Sequence, residues 1–63
     1  MNRLREFRQA AGLTQTQLAQ RAKVSSRTVF GIERSDAACQ QYTKRRLLRG
    51  LRMEWARKAE VWP

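Results

Sequence analysis

Apolar side chains return every three or four positions along most of this chain, and no run alternates in the way a half-buried strand would. Leu4, Phe7, Arg8 and Ala11 fall on one helical face, with Asn2 suited to cap the helix and Gly12 suited to end it at positive φ. Thr14 then opens a second helix, expected over residues 15–22. Gln17 completes an S/T-x-x-E/Q capping box, and Leu13 and Leu18 take the staple positions on either side of it. In this helix Leu18, Ala19 and Ala22 should face inward, with alanine at 19 letting a neighbouring helix come close. A short turn through Lys23 and Val24 leads to Ser25, the cap of a third helix over 26–34 that buries Val29 and Ile32. The pattern is therefore helix, tight turn, helix.

Residues 35–42 have no period and read as a loop. Thr43 is expected to cap a fourth helix whose apolar side is Leu47, Leu48 and Leu51. Gly50 inside that helix costs up to about 1 kcal/mol relative to alanine. Residues 54–60 predict a further short helix, with Met53, Trp55 and Trp62 as its apolar contacts. The spacing of Trp55 and Trp62 suits either a cap on a small core or a dimer contact. The expectation is one all-α domain over residues 1–63, a compact bundle of four to five short helices around a central helix-turn-helix.

Composition narrows the chemistry. At 63 residues, folding hides only about 60% of the surface that the unfolded chain exposes. Cys39 is the single cysteine and there is no histidine, so an internal disulfide and a Cys/His zinc site are both excluded. Helix packing and pairing with a second copy are left to stabilise the fold. A lone thiol fits a reducing compartment, the cytoplasm. Fourteen Lys and Arg against five acids give a formal charge of +9, which points to a polyanionic partner, nucleic acid or an anionic membrane. The capped, turn-broken pattern lacks the single long amphipathic face of a membrane-surface helix, and no stretch approaches a membrane span. Missing histidine and scarce acids argue against acid–base catalysis, and no enzyme, cofactor or small-molecule ligand is expected.

The stretch from Leu13-Thr14-Gln15 through Leu18-Ala19, the turn Val24-Ser25 and the end Ile32-Glu33-Arg34 resembles the phage Cro and repressor family, the XRE-type helix-turn-helix regulators. The resemblance covers residues 4 to about 53 and implies a lambda-repressor-like fold, with double-stranded DNA as partner and a homodimer on it. It implies that the helix starting at Ser26 enters the major groove. Carried over by position, Ser26, Arg27, Phe30 and Gly31 are the base-facing residues, with Arg27 able to pair with guanine O6 and N7. Gly31 stands where relatives carry a longer polar side chain, and Phe30 where they carry a polar one. Gln15, Gln17, Thr28, Arg34, Lys44 and Arg45 are implied as phosphate contacts. Arg8 and Glu33 take the place of an ion pair that ties the first helix to the third. Arg52 stands where relatives have the glycine that ends helix four, so that helix either runs on through Met53 or ends without glycine. The implied function is an operator-reading repressor of a bacterium or phage. The competing class is an antitoxin or adaptor that binds another protein through Phe30, Trp55 and Trp62.

Overall fold

The computed structural model describes residues 2–35 and 40–63. Its elements are α1 (Leu4–Ala10), α2 (Gln15–Ala22), α3 (Ser26–Ser35), α4 (Gln41–Gly50), a 3-10 turn (Trp55–Arg57) and α5 (Lys58–Val61). The described residues contain no strand, and the all-α expectation stands. Buried Leu4, Leu18, Ala19, Ala22, Val29, Ile32, Leu47, Leu48, Leu51 and Val61 form one core. Phe7, Leu13, Val24, Met53, Trp55 and Trp62 pack around it, partly covered. The helix α2 is the hub of the bundle, packed against α3 on one flank and α4 on the other.

The start of α2 is set locally. Thr14 Oγ1 accepts the Gln17 backbone N–H at 3.0 Å, and Gln17 Oε1 accepts the Thr14 N–H at 2.9 Å. Both arms of the capping box are thus made, which satisfies two donors that a helix start otherwise leaves unpaired. The cap position of α1 falls on Arg3 instead of the expected Asn2; from one residue earlier Asn2 Oδ1 accepts the Leu4 N–H at 3.0 Å, while Asn2 Nδ2 donates to the Ile32 carbonyl at 2.8 Å and ties the start of α1 to α3.

Helices α1, α2 and α4 end alike. At each end one residue turns to the left-handed region: Gly12 (φ 73°), Lys23 (φ 58°) and Arg52 (φ 59°). Paired bonds close each turn, such as Leu13 N–H to Arg8 carbonyl and Met53 N–H to Leu48 carbonyl. Helix four therefore stops at Gly50 and ends through an arginine instead of the usual glycine. A residue with a Cβ is disfavoured in that conformation by about 1–2 kcal/mol.

Three expectations are corrected. Thr43 does not cap α4. It lies inside the helix and is 8% exposed, because the helix begins earlier, where the Thr43 and Lys44 N–H groups both return to the Gln40 carbonyl at 3.0 and 3.1 Å. The expected loop over 35–42 is shorter at both ends: Ser35 closes α3, and Gln41 and Tyr42 open α4. Residues 36–39, Cys39 among them, lie outside the described residues. Ala11 leaves the apolar face of α1 and is exposed, since the helix ends at Ala10 and the chain is already turning into Gly12.

Gly50 has a packing reason. A Cβ there would come within 3.0 Å of Leu18 Cδ1 and 3.2 Å of both Ala22 Cβ and Ala22 N. The helices α2 and α4 cross so closely that only glycine fits without displacement.

Candidate nucleic-acid interface

The outward side of α3 is built by what surrounds its first turn. Ser25 Oγ accepts the Thr28 N–H at 3.1 Å and lies 2.8 Å from Thr28 Oγ1. That bond caps the helix, engages the Thr28 hydroxyl locally and leaves Ser26 and Arg27 facing solvent. Val29 and Ile32 anchor the opposite side in the core. The Arg27 side chain is exposed and meets no partner among the described residues. One turn on, Phe30 is 48% exposed, an unusual degree for so large an apolar ring. A Cβ built on Gly31 meets nothing within 4 Å, so the surface there is open. The Arg34 guanidinium carbon lies 5.8 Å from the Phe30 ring centroid.

Beneath this surface lies an ion pair. Arg8 Nε donates to Glu33 Oε2 at 2.6 Å and Arg8 Nη2 to Glu33 Oε1 at 3.1 Å, with the side chains only 11% and 5% exposed. Arg8 Nη1 also donates to the Leu13 carbonyl at 2.7 Å, so one guanidinium joins α1, the turn before α2, and α3. Gln15 Nε2 reaches Glu33 Oε1 at 3.3 Å, which draws this side chain into the same network. Gln17 is occupied in the capping box.

Arg5, Gln15, Phe30, Glu33 and Arg34 line one recess of about 390 Å³ beside α3. Arg5 was not among the residues that the sequence singled out. Its place on the exposed side of α1 is readable from the helical spacing, but nothing in the spacing says that this side borders α3. With the Glu33 charge already met by Arg8, the recess presents Arg5 and Arg34 to an approaching anion.

The two remaining phosphate-contact candidates stand apart from this recess. Arg45 Cζ lies 4.4 Å from the Trp55 ring centroid and Lys44 Nζ lies 5.4 Å from that of Trp62. Lys58 Nζ covers Trp55 as well, at 4.6 Å. The tail is thus fastened by cation–π contacts and by the fully buried Val61, whose carbonyl accepts the Arg3 N–H at 2.7 Å. The burial of Val61 depends on contacts distant in the chain and leaves no signal in the local spacing, in which Trp55 and Trp62 are the apolar contacts expected of the tail. Among the described residues no cluster of His, Cys, Asp and Glu could hold a metal ion, and no helix is long and apolar enough to cross a membrane.

No curated protein and no solved structure was found to match the chain. A family model described as a helix-turn-helix domain matches residues 2–61 and supports DNA binding. With nearly the whole chain matched and the capped helix, left-handed turn and second helix in place, the protein belongs to the helix-turn-helix domain family.

Proposed function

We propose that the protein is a sequence-specific reader of double-stranded DNA, a Cro-like repressor that lays α3 in the major groove of an operator. The observation that carries this reading is Arg27. It stands exposed, with no side-chain partner among the described residues, on the first turn of a helix whose other side is locked into the core. A guanidinium so placed can give two parallel hydrogen bonds to a guanine edge, worth about 1–3 kcal/mol against the wrong base. Ser26 beside it offers a hydroxyl to either donors or acceptors. Phe30 presents an apolar face to a thymine methyl, and the space over Gly31 lets the groove floor come close. Gln15, Arg34 and Arg5 flank the groove as phosphate contacts, with Gln17, Thr28, Lys44 and Arg45 further out along the backbone.

The reading includes pairing of two copies on DNA. Among the described residues the exposed large hydrophobics are Phe30 and Tyr42, which offer little apolar area for a free dimer of two +9 chains. On DNA the phosphates neutralise that repulsion, and two half-sites about one helical turn apart double the contacts. The antitoxin or adaptor alternative draws less support, since Trp55 and Trp62, two of the three aromatics it relies on, pack on the core beneath cations.

Selection of bound sites from a random duplex library, at about 150 mM salt to suppress non-specific charge binding, tests the proposal. Recovery of a pseudo-palindromic motif is the expected result. Recovery of no motif, with retention that tracks only salt, would overturn it.

A further inference from the structure

The recess beside α3 is not the only place where cations gather. Where α2 crosses α4, Arg21, Arg49 and Arg52 surround Gly50 and line a separate recess of about 210 Å³. It shares no lining residue with the recess that contains Phe30 and Arg34. Arg49 also borders two neighbouring clefts, one with Tyr42, Arg45 and Arg46, the other with Arg45, Arg52 and Trp55. Among the described residues, Glu54 is the one acid along these three recesses. The side chains of Arg21, Arg49 and Arg52 are exposed and make no hydrogen bond or ion pair among the described residues. Several other cations are engaged: Arg8 holds Glu33, Arg57 holds Glu60, Arg46 donates to the Lys23 carbonyl, and Lys44 and Arg45 lie over tryptophans, while Arg27 and Arg5 stand on the α3 side, away from this recess.

A second observation concerns the backbone. Arg52 occupies the left-handed position that ends α4, where glycine is the unstrained choice. Closeness to a helix C-terminus favours a cation, but that would be met as well by a cation in the last turn, and Arg49 is already there. An arginine kept in a disfavoured conformation, beside two other unpartnered arginines, is the kind of outlier from which function is inferred.

We propose that Arg21, Arg49 and Arg52 form a second anion site, separate from the α3 surface, that takes a phosphate group. Guanidinium suits this ligand because its planar fork matches two phosphate oxygens at once, and three forks around a shallow recess can meet the remaining charge. The phosphate belongs either to a nucleic-acid backbone or to a free phosphate compound. The site does not depend on α3 reading bases.

The test uses the full chain and inorganic pyrophosphate as probe, followed by the Nε–Hε signals of the arginines in NMR. Saturable shifts of Arg49 and Arg52, absent with sodium chloride at matched ionic strength and absent at Arg27, are the expected result. Arg52→Gly, which relieves the backbone and should fold at least as well, is expected to weaken pyrophosphate binding about tenfold, and Arg49→Gln similarly. A second arm finds the source, using a duplex without an operator. If combining the two substitutions lowers the slope of log affinity against log salt by about one, the site takes the backbone. An unchanged slope with pyrophosphate binding intact in the wild type assigns it to a free phosphate compound. No saturable shift with either pyrophosphate or duplex would overturn the proposal. Displacement by poly-glutamate as effective as by pyrophosphate would overturn it too, in favour of an acidic protein surface.

Discussion

Two glycines sit inside helices of this protein, and their surroundings differ completely. Around Gly50 in α4 a single added carbon would strike Leu18 and the backbone of Ala22, whereas around Gly31 in α3 it would meet nothing. Both weaken their helices by a similar amount. At Gly50 the loss is offset by the close crossing of α2 and α4, which the core needs. At Gly31 no packing gain is visible, and what the missing side chain leaves is an open surface between Arg27 and Arg34. The close approach at Gly50 thus serves packing within the molecule, whereas the open surface at Gly31 belongs to the face that is proposed to meet DNA.

Substitutions that break this contrast should differ in size. The largest effect is expected at the ion pair under α3, where Glu33→Ala leaves Arg8 charged and nearly buried; unfolding in urea should show a loss of about 3–5 kcal/mol. Next comes Gly50→Ala. The gain in helix propensity is outweighed by the clash with Ala22 N, which cannot move aside as a side-chain tip can, and a loss of about 1–3 kcal/mol is expected from the same measurement. Gly31→Ala should do the opposite and raise stability by about 0.5–1 kcal/mol, since the new methyl enters empty space. If Gly31→Ala destabilised as much as Gly50→Ala, the contrast between the two flanks would collapse.

The smallest effect concerns the tail. The hydrogen bonds from Arg57 hold the Glu60 carboxyl below the ordinary carboxylate range. A lowered folded-state value means that its contribution is present above that range and fades as pH falls through the lowered value. Stability curves of wild type and Glu60→Gln should therefore differ slightly near neutrality and converge on acidification, as thermal melts across pH 2–6 (roughly the carboxylate range) would show. The pair is exposed, so the difference stays small.

What could be read in the sequence followed the range of the forces involved. The bounds of α2 were legible because the Thr14–Gln17 capping box is a contact within one turn. The start of α4 was misread because Thr43 looks like a cap by type, while its real role, as a buried residue within the helix, depends on what it packs against. Val61 and the neighbourhood of Arg5 were invisible for the same reason. Each acquires its place from residues distant in the chain, Val61 from Arg3 and Arg5 from Phe30 and Arg34. The resemblance put Ser26, Arg27 and Phe30 at base-facing positions of α3, but only the structure shows that Arg27 lacks a side-chain partner among the described residues while Gln15 and Gln17 have theirs.

The most direct measurement of the central claim is binding of wild type and Arg27→Ala to a panel of duplexes, each differing from the selected site by one base pair. If Arg27 reads a guanine, the substitution should cost about 1–3 kcal/mol on the full site and abolish discrimination at one position per half-site, leaving the others unchanged. Uniform weakening across the whole panel, with every base preference intact, would contradict the account, because it would make Arg27 a backbone contact and remove base reading from the first turn of α3.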